Sequence, residues 1–139
     1  MAKIYKKSLL KKIENLNLNV LGFPYTVEFE KDLISRFNVT GCASVWGSKI
    51  QIDSSVSNLD ILSSLLHEII EVMFRKTETK YEHEIIARFE IFLMTVIIEN
   101  PELLRLILET AKKEGGPLKG GLKKRATQLV KRHKRKSGQ

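Results

Sequence analysis

The sequence predicts an α+β domain: a small antiparallel sheet packed on three main helices, with an N-terminal helix before it and a basic C-terminal extension after it. Three observations predict this. Residues 24–30, PYTVEFE, alternate Tyr25, Val27 and Phe29 with Thr26, Glu28 and Glu30, the period-two pattern of a half-buried strand. From residue 58 to about residue 114 the apolar spacing becomes that of helices. Beyond Gly115 it gives way to glycine and cations, so the domain is expected over residues 1–114 and the extension over 115–139.

The N-terminal segment, residues 1–18, spaces Leu9, Leu10, Ile13 and Leu16 on one helical face with lysines outside. After the strand at 24–30, CASVW and KIQID flank Gly47-Ser48, and a glycine first in a two-residue loop suits a type II′ hairpin. Ser57 in SNLD can cap a helix, with Asp60 three residues on at the positive end of the helix dipole. That helix is expected to reach about Lys76, with KTETKYE as the turn. A second helix, about residues 81–99, has Ile85, Ile86, Phe89, Leu93, Val96 and Ile97 as its core face. Asn100-Pro101 stops it and starts a third, because proline fits a first helical turn and the residue before it avoids helical angles. Trp46 is expected to pack, and Cys42 to be a small core residue.

Length and composition narrow the function classes. A chain of 139 residues can remove roughly two-thirds of its unfolded surface from water, enough for one real core. The longest apolar run, IFLMTVII at 91–98, falls far short of the roughly 20 residues that cross a bilayer. The N-terminus lacks the apolar block and cleavage site of a signal peptide, and the lone Cys42 cannot form an internal disulfide. The compartment expected is therefore the cytoplasm. No phosphate-cradling glycine motif is present, since the paired glycines at 115–116 and 120–121 follow a helix and not a strand.

Chemistry concentrates in SSLLHEIIEVMF, residues 63–74. On a helical wheel Leu62, Leu65, Leu66, Ile69, Val72 and Met73 share one side, while His67 and Glu71 lie opposite with Asp60 and Ser64. His67 and Glu71 are four apart, one turn, near enough to share an ion, and Glu68 points about a quarter turn away. Such a helix is either the wet side of an amphipathic rod or part of a metal site. His83 bears on the choice: it opens the next helix after a short turn, where it could approach the same ion. Two imidazoles and a carboxylate form a sound set for catalytic zinc, with a fourth position left for water. Glu68 would then be the general base of an amide hydrolysis. Glu71 stands where the zinc-peptidase pattern His-Glu-x-x-His has its second histidine.

The stretch IQIDSSVSNLDILSSLLHEIIEVMF, followed by YEHEIIARFEIFLMTVIIENPELL, resembles the small zincin-like, metallopeptidase-like proteins of bacteriophages and prophages, similar in motif to the minimal gluzincins of the ImmA and IrrE type. The resemblance rests on the Ile-x-Ile-Asp strand at 50–53, the serine-rich turn at 54–57, Leu-Leu-His-Glu-Ile-Ile-Glu at 65–71, His83 and Asn100-Pro101, and it spans roughly residues 25–104. It implies zinc as cofactor, with His67, Glu71 and His83 as ligands and Glu68 as base. It says little about the N-terminal helix or the extension.

The charge has a separate message. Of 24 Lys and Arg residues, nine lie in 115–139 without an acid: Lys119, Lys123, Lys124, Arg125, Lys131, Arg132, Lys134, Arg135 and Lys136. The remaining 15 face 16 acids, so the body is nearly neutral and the extension accounts for the net charge of +8 of the whole chain. A solvated tail needs no partner. Nine cations in 25 residues nevertheless favour an anionic surface, nucleic acid first, with an acidic protein or a membrane surface as alternatives. The extension has no aromatic residue to stack on bases, so sequence-specific reading of single strands is not expected. The competing reading of the whole chain is thus a noncatalytic scaffold that attaches to a host or viral nucleoprotein complex through these nine cations.

Overall fold

The computed structural model describes residues 2–113 and residue 128; the nine cations expected to bind nucleic acid lie outside the described residues. The chain is α+β, and its described residues form a four-stranded, mostly antiparallel sheet and the five helices named next. In order these are α1 (Ala2–Glu14), β1 (Leu18–Val20), β2 (Phe23–Glu30), α2 (Leu33–Phe37), β3 (Gly41–Ser44), β4 (Lys49–Asp53), α3 (Asn58–Lys76), α4 (His83–Glu99) and α5 (Pro101–Lys113). Among the described residues no helix is long and apolar enough to cross a membrane.

The strands lie in the order β1-β2-β4-β3. The outer pairs are antiparallel, but the central pair, β2 with β4, runs parallel in the register Thr26↔Lys49 to Glu30↔Asp53. Parallel neighbours need a crossover. Here α2 and β3 provide it, carrying the chain beyond the edge before β4 returns between β3 and β2. Asp53, at the end of β4, secures this path. Its Oδ2 accepts from the Ile34 backbone N–H of α2 at 3.0 Å, and its Oδ1 accepts from the N–H and hydroxyl of Ser55 at 2.8 and 2.5 Å. Asp53 is fully buried; burial pushes its carboxyl up, but these bonds and one from Leu33 outweigh it and hold the group at about 2.

The hairpin between β3 and β4 departs from the two-residue turn expected at Gly47-Ser48. Four residues, 45–48, connect the strands, and Ser48 rather than Gly47 takes the left-handed conformation, at φ 50°. Gly47 is needed for close approach: its N–H donates to Ser44 Oγ at 3.0 Å, and a Cβ there would sit 2.9 Å from the same oxygen. Trp46 projects from this turn fully exposed, and Cys42 on the edge strand is also exposed, so neither packs in the core as expected.

Tyr25, Val27, Ile50 and Ile52 of the sheet meet Ile61, Leu65 and Val72 of α3, with Ile13 of α1 and Val20 closing the core. Ser57 caps α3 as expected, its hydroxyl accepting from the Asp60 N–H at 3.1 Å. The face of α3 opposite the core is not wet. Ser64, Glu68 and Glu71 are buried there, because β3 and α4 pack against the helix on that side.

The expected core face of α4 is mostly uncovered. Ile86 is buried, whereas Ile85, Phe89, Leu93, Val96 and Ile97 are 36–47% exposed. Helix α5 is amphipathic yet has no buried residue, with Leu103, Leu106, Ile107 and Leu108 facing outward. Beyond the break at Asn100-Pro101, α5 finds its main packing partner in α4.

Candidate metal centre

Three elements converge on a cavity of about 430 Å³: the edge strand with the segment before it, the polar side of α3, and the start and middle of α4. Its lining includes Gly41, Cys42, His67, Glu68, Glu71 and His83. Ligand atoms of His67, Glu71 and His83 all lie within 4.8 Å of one another, and the two imidazole centroids are 4.9 Å apart. The three side chains expected to share an ion are thus brought together. The turn of residues 77–82 permits this by reversing the chain so that His83 opens α4 beside the last turns of α3.

Glu71 is held from two sides. Its Oε1 accepts from Arg75 Nη2 at 2.8 Å and from the Tyr81 hydroxyl at 3.0 Å. Arg75 is itself fixed, donating through Nε to the Tyr81 hydroxyl oxygen at 3.3 Å and through Nη1 to the Ala43 carbonyl of β3 at 3.2 Å. The guanidinium therefore links the edge strand to the carboxylate. His67 is held on its other side, with Nδ1 2.8 Å from Glu90 Oε2, while the Ser63 hydroxyl donates to Glu90 Oε1.

Glu68 has the most unusual setting. It is 5% exposed, and its Oε2 has no hydrogen-bond partner among the described residues. A buried carboxylate oxygen is costly unless a proton, a water or an ion satisfies it. Burial, followed by the Glu71 charge, pushes the Glu68 carboxyl up to about 7, against the lowering effect of His67 and Arg75. Gly41 lies directly over it: a Cβ at position 41 would be 3.2 Å from Glu68 Cγ and 2.9 Å from Ile52 Cδ1. Burial and the neighbouring Glu68 charge also push the Cys42 thiol up.

Two imidazole nitrogens and one carboxylate oxygen so grouped could hold a metal ion, and a glutamate oxygen without a partner among the described residues lies nearby. Arg75, Tyr81, Ser63 and Glu90 were not singled out in the sequence. Glu90 had a readable signal, since it lies two turns after His83 on the same face of a helix that is otherwise apolar through residues 91–98. No protein-family model matches the chain, and no curated protein and no solved structure is significantly similar to it.

Proposed function

We propose that His67, Glu71 and His83 bind a zinc ion and that the site hydrolyses peptide bonds, with Glu68 as general base, as the resemblance to phage and prophage zincin-like proteins implies. The observation that carries this reading is the meeting of three ligand atoms within 4.8 Å in a cavity that also buries an unpartnered glutamate oxygen. Zinc held there would supply Lewis acidity, acidifying a water molecule and polarising the substrate carbonyl. The chain's own contribution is proton handling and orientation. Glu68 Oε2, without a competing donor, accepts the proton of the attacking water and returns it to the nitrogen as the C–N bond breaks and the C–O bond forms. Arg75 and Tyr81 keep Glu71 pointed, which spares reorganisation during turnover. Strand β3, which among the described strands pairs with β4 alone, offers an extended peptide beside the cavity the edge groups that remain besides the Ala43 carbonyl bonded to Arg75.

Metal analysis of protein purified without added zinc tests the site. One equivalent in the wild type, lost in His67→Ala and His83→Ala, is the expected result. A wild type without metal removes the enzymatic reading and leaves the scaffold. The nine uncompensated cations of residues 115–139 favour that second reading, attachment to nucleic acid or a nucleoprotein complex. Truncation after Glu114 should abolish salt-sensitive binding to duplex DNA or RNA; unchanged binding by the truncated chain refutes the assignment.

A further inference from the structure

We propose that Glu90 is a positioning residue that locks His67 in the tautomer carrying its proton on Nδ1, so that Nε2 is the nitrogen free to bind a cation. For its purpose this rests on the metal reading above; the lock itself can be tested without metal.

The inference comes from geometry on two helices. Ser63 and His67 lie one turn apart on α3, and His83 and Glu90 lie two turns apart on α4, so the four side chains face one another across the helix pair. His67 Nδ1 is 2.8 Å from Glu90 Oε2, with 14% and 20% of the two side chains exposed. The second carboxylate oxygen, Oε1, accepts from the Ser63 hydroxyl. A carboxylate can only accept, and a neutral imidazole has one N–H and one lone pair. The Nδ1 contact therefore fixes the proton there and leaves the lone pair on Nε2. Ser63 in turn fixes the carboxylate, so the lock has its own support.

Packing does not explain Glu90. The other charges near it on α4, Glu84 and Arg88, pair with each other in solvent, as helical neighbours four apart do. Glu90 instead turns inward and spends both oxygens on one imidazole and the serine that shares its helix. A ligating histidine whose second nitrogen is held by a carboxylate is oriented before the ion arrives and is more basic toward it.

The test reads the tautomer directly by long-range ¹H–¹⁵N NMR of the imidazoles in chelator-treated protein, alongside zinc affinity by competition with a chromophoric chelator. In the wild type His67 should carry its proton on Nδ1. In Glu90→Ala that signature should be lost and zinc affinity should fall by about 10–100-fold. Glu90→Gln can still accept through its amide oxygen and should retain the tautomer, with a smaller loss of affinity. Ser63→Ala keeps the carboxylate but frees it, and should weaken zinc binding without abolishing it. This variant preserves the test if Glu90→Ala fails to fold. A proton on Nε2 in the wild type, or unaltered zinc affinity in folded Glu90→Ala, overturns the proposal. A locked Nδ1 proton in a wild type that takes up no zinc sustains the lock and removes the metal reading.

Discussion

The region around the sheet and the limb formed by α4 and α5 bury opposite kinds of group. Beside the sheet, Asp53, Ser64, Glu68 and Glu71 are buried, and Glu68 Oε2 lies there without a hydrogen-bond partner among the described residues. Along the limb, aliphatic and aromatic side chains stand in the open, and of the described residues of α4 and α5 Ile86 alone is buried. Apolar content therefore does not identify the part of this chain that carries its stability. The same kind of truncation should have very different effects in the two regions, and a change of charge should matter most where the chain has buried one.

The largest effect is expected at Ile61, which is fully buried between α3 and the sheet. Ile61→Ala should cost about 2–5 kcal/mol in urea unfolding. A cost below that of limb substitutions would erase the contrast. Next is Asp53, whose folded carboxyl lies near 2 against an ordinary 3.8. Its stabilisation is complete above pH 3.8 and is lost as the pH falls toward 2. Asp53→Asn should cost about 1.5–3 kcal/mol at pH 7, with the penalty shrinking in acid. A penalty independent of pH between 2 and 5 would show that the hydrogen-bonded charge is not its source.

Glu68 should act in the opposite direction. The folded chain keeps its proton up to about pH 7, whereas the unfolded chain releases it near 4.5. The group's contribution is whole below about 4.5 and declines as the pH rises toward 7. Metal-free Glu68→Gln should therefore be more stable than the metal-free wild type at pH 8, by about 1–3 kcal/mol, with the gap closing near pH 4.5. Equal stability at pH 8 would mean that the glutamate is solvated. The smallest effect is expected on α5, where Leu106→Ala should lie within about 0.5 kcal/mol of the wild type. A loss comparable with that of Ile61→Ala would mean that the limb is covered in solution.

Much of the architecture can be read from residue spacing. The alternation in PYTVEFE, the Ser57 cap and the Asn100-Pro101 break each act locally, and each marks its element correctly. What was not legible depends on contacts between elements. The three-residue β1 and five-residue α2 are too short for a periodic signal, and the parallel pairing of β2 with β4 follows from a crossover that no local pattern announces. A helical wheel gives sides, not what covers them: the polar side of α3 is roofed by β3 and α4, while the oily side of α4 has little above it. The grouping of His67, Glu71 and His83 could be anticipated because the turn between their helices is short. Arg75 and Tyr81 could not, because Tyr81 acts on a partner ten positions away and Arg75 ties Glu71 to a neighbouring strand, whereas Glu90 showed only its place on the face of His83.

The bare α-carbon at position 41 sets the headroom above the acid. A Cβ there would sit 2.9 Å from Ile52 Cδ1 and 3.2 Å from both Glu68 Cγ and the Gln51 carbonyl oxygen, so even alanine would force the isoleucine tip or the stem of the acid to move. A shift of that stem would displace the carboxyl group whose Oε2 has no partner among the described residues. The seating of the acid thus depends on the one side chain too small to be seen.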